Sequence, residues 1–176
     1  VNKYLRNSDI TIANLESIIT EIGKPNNTKN PHLNFRSSTC CINSLLDSGI
    51  NLVNISNNHI NDYSKTGLID SINNIYNSGI NIIGLKDMIH SYKIYNIKNI
   101  KICFIGLSRP FDKTKALNMT NILDIKNIKL INLIKNIKKT VDILVVSYPT
   151  ASIMYKASPL FSQVFLACVV TTECNL

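Results

Sequence analysis

The sequence predicts an α/β fold built on βαβ units with mostly parallel strands. Two stretches carry that expectation: "INSLLDSGINLVNI" and "INNIYNSGINIIGL" each run from the end of an amphipathic helix, through Ser-Gly, into a short β-rich segment. A helix–Gly–strand unit used twice in succession gives strand 50–55, helix 65–78 and strand 80–84, a crossover between parallel strands. With 176 residues, 45% of them hydrophobic, the chain is long enough to bury an ordinary single-domain core.

Each element has its own sequence reason. "DITIA" at 9–13 reads as the first strand, followed by a polar, Pro-containing loop. The helix expected at 39–48 places Ile42, Leu45 and Leu46 on one face, and that at 65–78 does the same with Leu68, Ile72, Ile75 and Tyr76. Gly49 and Gly79 stand where a left-handed helix cap needs a residue without a Cβ. "SYKIYNIKN" and "IKICFIGLS" form a strand pair with a hairpin at Lys98 and Asn99. Ile128, Ile131, Ile134 and Ile137 mark one side of a later helix, and strand 142–147 follows it. Past Pro149 the Asn, Lys and Ile background gives way to Val, Phe, Ala, Cys and Thr. The expected organisation is therefore a domain over 1–149 and an atypical tail over 150–176, of the kind a frameshift or aberrant terminus leaves.

The formal charge of +8 comes from lysines spaced between apolar residues, as on solvated faces, with no interleaved aromatic side chains. That pattern disfavours nucleic acid and leaves an anionic polymer as the partner a basic surface suits. No leader or anchor is visible, so contact with a membrane is expected only through segments outside this sequence. The five cysteines show no C-x-x-C; Cys40 and Cys41 in a helical pattern and Cys103 in a strand pattern read as buried thiols rather than zinc ligands.

Ligands in open parallel sheets bind at the carboxyl ends of the strands. Three loops lie there: "NLES" after the first strand, "SNNHINDY" after strand 50–55, and "YPTAS" after strand 142–147. The first two are chemically loaded. Glu16 and the amide oxygen of Asn58 are hard oxygen ligands suited to magnesium, manganese, calcium, zinc or iron. His59 is placed to give a proton to a leaving oxygen, and Asp62, three positions on, to hold its other ring nitrogen. Each residue also has a plain structural reading: Asn-Asn as a turn, His59 as a loop histidine, Asp62 or Ser64 as a helix N-cap, Glu16 as a solvated charge.

"DITIANLESIIT" followed by "LNFRSSTCCINSLLDSGINLVNISNNHINDYSKTGLIDSINNIYNSGINIIGL" resembles the capsule-synthesis, or poly-gamma-glutamate biosynthesis, CapA family of the calcineurin-like metallophosphatase superfamily. N-L-E after an early strand and N-N-H-x-x-D opening a helix carry the likeness from about Asp9 to Leu85. The resemblance implies a partial metallophosphatase-like αββα sandwich with a two-metal centre. It casts Glu16, Asn58 and Asn14 as metal ligands for manganese, magnesium, zinc or iron, His59 as the acid and Asp62 as its orienter. An anionic polymer or a phosphoester is the implied substrate, and the cell envelope the implied setting. The sequence departs from the family pattern in four places. No Gly-Asp strand precedes Asp9, Tyr148-Pro149-Thr150 stands where H-W-G is expected, no His-x-His follows, and Ser64 replaces a Gly. The resemblance thus implies a truncated, catalytically incomplete domain.

Overall fold

The computed structural model describes residues 2–28, 30–86, 91–107 and 128–148, with the backbone of 164–165. The tail over 150–176 lies outside the described residues except for that last pair.

The strands are β1 (Ile12–Leu15), β2 (Ile18–Ile19), β3 (Arg36–Ser37), β4 (Leu52–Asn54), β5 (Asn81–Ile83), β6 (Tyr92–Ile97), β7 (Ile100–Gly106), β8 (Ile143–Ser147) and β9 (Val164–Phe165). Among them lie helices α1 (Asn2–Arg6), α2 (Cys41–Asp47), α3 (Ser64–Asn77) and α4 (Ile128–Lys138), with a 3-10 turn at Pro31–Leu33. One sheet has the order β5-β4-β1-β9, a second β6-β7-β8, and β2 pairs with β3 alone. β1, β4 and β5 are mutually parallel, as the βαβ reading requires, and β9 closes the edge antiparallel.

Period-2 alternation sorts the strand side chains into layers. Ala13, Val53 and Ile82 face Leu45 of α2 and Leu68 and Ile75 of α3. Their neighbours Ile12, Leu52 and Ile83 turn the other way and meet Phe104 and Val145 of the second sheet. On that sheet's far side Ile105 and Leu107 pack with Leu130 of α4. The order is helix, sheet, sheet, helix, which is the αββα sandwich.

Several local expectations hold. Gly49 and Gly79 follow α2 and α3 with φ of 79° and 87°. Ile97 pairs with Ile100 across Lys98 and Asn99, whose φ of 50° and 67° match the two-residue hairpin turn with right-handed twist. Others are corrected. The first strand begins at Ile12 rather than Asp9, because its ladder with β4 starts at Ile12 opposite Leu52. Leu46 and Tyr76 point to solvent, 44% and 63% exposed, so the buried seams of α2 and α3 are narrower than their apolar patterns. In α4 the buried seam is Leu130, Leu133, Ile134 and Ile137, while Ile128 and Ile131 are exposed. Steps of three residues turn about 300°, so a pure i+3 series drifts around the helix; the 130/133/134/137 spacing stays on one side. Cys40 is exposed and Cys41 half-buried; only Cys103 is buried among the described thiols, and burial pushes its pKa up to about 11.

A buried amide sits between the two sheets. Asn54, fully buried at the end of β4, donates its amide to the Ser147 hydroxyl at 3.0 Å and the Ser147 carbonyl at 3.3 Å, and accepts from the Ser56 N–H at 2.9 Å. The approach needs glycine around it: a Cβ on Gly106 would lie 2.4 Å from the Asn54 amide oxygen, and one on Gly84 2.6 Å. Asn54→Ala is expected to lower unfolding free energy by about 2 to 4 kcal/mol, measured by urea denaturation, since it leaves both a void and unpaired buried partners.

The turn before α2 is held by Glu21, whose carboxylate accepts from the Ser38 hydroxyl at 2.6 Å and the Thr39 N–H at 2.8 Å. These bonds, the Ser38 hydroxyl first, pull its pKa below the ordinary 4.5. A depressed carboxyl stabilises the fold above its unfolded pKa and loses that contribution as pH falls through the folded value. The melting-temperature gap between the natural chain and Glu21→Gln should therefore be widest near neutrality and close on acidification below about pH 4.5.

Candidate functional site

β1 and β4 are adjacent and in register, with Asn14 opposite Asn54, so the loops that leave them start side by side at the carboxyl edge of the sheet. Asn57 binds the two loops together. Its amide donates to the Leu15 carbonyl at 2.8 Å and to the Asn14 side-chain oxygen at 3.2 Å, and its own oxygen accepts the His59 N–H at 3.0 Å. Asn14 in turn donates to a Glu16 carboxylate oxygen at 3.1 Å. Asn14 and Asn57 are buried, Glu16 and Asn58 half-buried. The structure thus brings Glu16, Asn14, Asn58 and His59 to one rim.

His59 and Asp62 form the pair expected of them. Nδ1 lies 2.7 Å from an Asp62 carboxylate oxygen, inside a turn closed by the Asp62 N–H to the His59 carbonyl at 3.1 Å. Asp62 is fully buried, and the same oxygen also accepts the Phe35 N–H at 2.7 Å. The Phe35 ring stacks on the imidazole with centroids 4.1 Å apart and planes 10° from parallel. With Nδ1 committed to a carboxylate, Nε2 is the atom through which this imidazole exchanges a proton. Beneath the ring a small, mainly apolar hollow is lined by Leu15, Ile18, Ile55, Ile60 and Leu68.

Comparison with known proteins sets this geometry in context. The family described as "Bacterial capsule synthesis protein PGA_cap" matches residues 1–168. The chain belongs to this family. It is also similar to the capsule biosynthesis protein CapA of Bacillus anthracis, 26% identical over 117 residues that make up 63% of this chain and 28% of that protein. The chain therefore spans little more than a quarter of that relative's length.

PGA_cap is a metallophosphatase-like family, a class that implies divalent metals. The described residues do not fit a two-metal centre. Among them no three His, Cys, Asp or Glu side chains converge. The positions assigned to metal by resemblance, Glu16, Asn58 and Asn14, offer one carboxylate and two amides. Glu16 is already bonded to Asn14, Asn14 to Asn57, and the other nearby carboxylate, Asp62, to His59 and Phe35. Two divalent cations would face one available negative charge, too little to offset the loss of their hydration. His32 is exposed on the 3-10 turn, and His90 lies outside the described residues.

Sequence reasoning missed Asn57 and Phe35. The N-N-H motif does not say which asparagine is structural. Phe35 lies 24 positions from His59, beyond the reach of any local pattern. The third loop enters through Ser147, which reaches Asn54, and through Tyr148, which packs toward α4; Pro149 onward is outside the described residues. Asp62 and Ser64 do not cap α3: Tyr63 holds the N-cap position without a side-chain cap bond.

Ser64 sits in a strained backbone conformation. Its φ is 61°, in the left-handed region that favours glycine. A Cβ there crowds the following carbonyl. Ser64→Gly is expected to raise stability by about 1 kcal/mol, read as a higher midpoint in chemical denaturation with an unchanged slope.

Proposed function

We propose that the chain serves capsule biosynthesis as part of a CapA-like protein of poly-gamma-glutamate type, supplying the acid half of a metallophosphatase-type site. In this reading the site is catalytically incomplete. The observation that carries the proposal is the buried His59–Asp62 pair at the carboxyl edge of a parallel sheet, in a chain whose family match spans residues 1–168. Asp62 orients the imidazole and balances its charge when protonated; His59 Nε2 donates to the leaving oxygen of a phosphoester or of an anionic polymer substrate. Such a protein works at the cell envelope; no helix among the described residues is long and apolar enough to cross a membrane. If metal is bound, manganese, magnesium, zinc or iron would approach through Glu16, Asn14 and Asn58, and the remaining ligands would come from outside the described residues.

A second reading is a non-catalytic basic domain that holds an anionic polymer. It is favoured by α4, which carries exposed Lys129, Lys135 and Lys138, followed by Lys139, and no acidic residue.

Hydrolysis of bis(p-nitrophenyl) phosphate with and without manganese, in the natural chain and in His59→Ala and Glu16→Ala, tests the first reading. The expected result is no manganese-dependent turnover that separates the three proteins. Manganese-stimulated hydrolysis that falls about a hundredfold or more in His59→Ala would overturn the incompleteness of the site. Binding of poly-glutamate that is unchanged in Glu16→Ala and declines steeply with salt supports the second reading instead.

A further inference from the structure

We infer that Phe35 is the positioning residue of the His59–Asp62 pair, and that the loop it terminates acts as a strap on that pair. Two independent contacts meet in this one residue. Its backbone N–H binds the Asp62 oxygen that also holds Nδ1, and its ring covers one face of the imidazole. The hydrogen bond fixes where the carboxylate lies, and the stack fixes the plane in which the imidazole must meet it. Neither contact alone defines both the edge and the plane.

The loop ahead of Phe35 is fastened to the same turn. The Asn26 N–H donates to the Asp62 carbonyl at 2.8 Å, and the Asn34 side chain donates to the Asn26 carbonyl at 3.0 Å, so both ends of the segment 26–35 converge on Asp62. Beyond Phe35 the chain enters β3, where Arg36 pairs in register with Ile18 and its guanidinium lies 4.7 Å from the centre of the Tyr63 ring. Phe35 is thus held from both sides: by the strap before it and by β3 after it. Its side chain is not needed for the backbone bond to Asp62, so substitution separates the two contacts. Phe35→Leu keeps the N–H and a similar apolar volume while removing the aromatic face.

This inference rests on the reading of His59 as a proton donor through Nε2, but its test uses no turnover and stands apart from the hydrolysis assay. In the natural chain, proton NMR should show the His59 ring protons shifted upfield by the Phe35 ring current, nuclear Overhauser contacts between the two rings, and a slowly exchanging Nδ1–H. In Phe35→Leu the upfield shift should vanish and exchange of that proton should quicken by roughly twofold to tenfold, the factor an aromatic pair contributes. Phe35→Tyr should restore both signals. A merely structural role would remove the ring-current shift and lower the melting temperature but leave the exchange of the Nδ1–H in the folded protein unchanged. Identical Nδ1–H exchange in the natural chain and Phe35→Leu would overturn the inference. So would the absence of ring-to-ring contacts in the natural chain, which needs no variant to fold.

Discussion

The two sheets meet at their carboxyl edges through a buried amide, that of Asn54, and the site above depends on that junction. Elsewhere between the sheets Ile12, Leu52 and Ile83 pack against Phe104 and Val145 with Tyr95 beside them, a mainly apolar contact that sets distance more than register. Apolar packing is non-directional, so it tolerates a sliding of one sheet over the other. Asn54 does not. Its bonds to Ser147 and Ser56 have fixed directions, and leaving them unmade in a dry interior is costly. Gly84 and Gly106 carry no side chain because the amide occupies the space. The last residue of β4 therefore anchors the turn that follows it, and that turn carries Asn57, Asn58, His59 and Asp62.

Above this junction the site is knitted by amides more than by charges. Asn57 couples the loop after β1 to the loop after β4, and Asn14 passes the connection to Glu16. Such a chain of donors and acceptors is stable because each buried amide in it finds a partner. What sets it against a two-metal centre is the shortage of charge: no three His, Cys, Asp or Glu side chains converge among the described residues. The His59–Asp62 pair is independent of that question, since its geometry is fixed by the Phe35 contacts and by its own turn.

Much of this was legible in the sequence where the determining contacts are local. The helix–Gly–strand echo fixed the parallel sheet because a left-handed glycine and a change of hydrophobic period fall within a few residues of each other. The H-x-x-D spacing placed His59 on Asp62 because one turn of chain spans it. Contacts between distant segments left no such trace. Asn54 finds Ser147 across 93 positions, and nothing in "LVNIS" distinguishes an inter-sheet amide from one in a turn. Phe35 sits in an ordinary "LNFRSS", and its role exists only once the loop has folded back. The α4 seam was misplaced because isoleucine is so common in this chain that an i+3 series arises without meaning, and the leucines carried the better signal.

The pairing of β1 with β9 has a consequence for how the molecule comes together. Asn14, on the site's first strand, lies opposite Asn54 on one side and Phe165 on the other, so the two neighbours of that strand come from well-separated parts of the sequence. During synthesis β1 waits for β4 on one flank and then, long after, for β9 on the other. Closing so large a loop is slow, and an unfilled strand edge is sticky while it lasts. The rim that carries Glu16 is thus assembled earlier on one side than on the other, and in the interval its outer edge is open to mispairing.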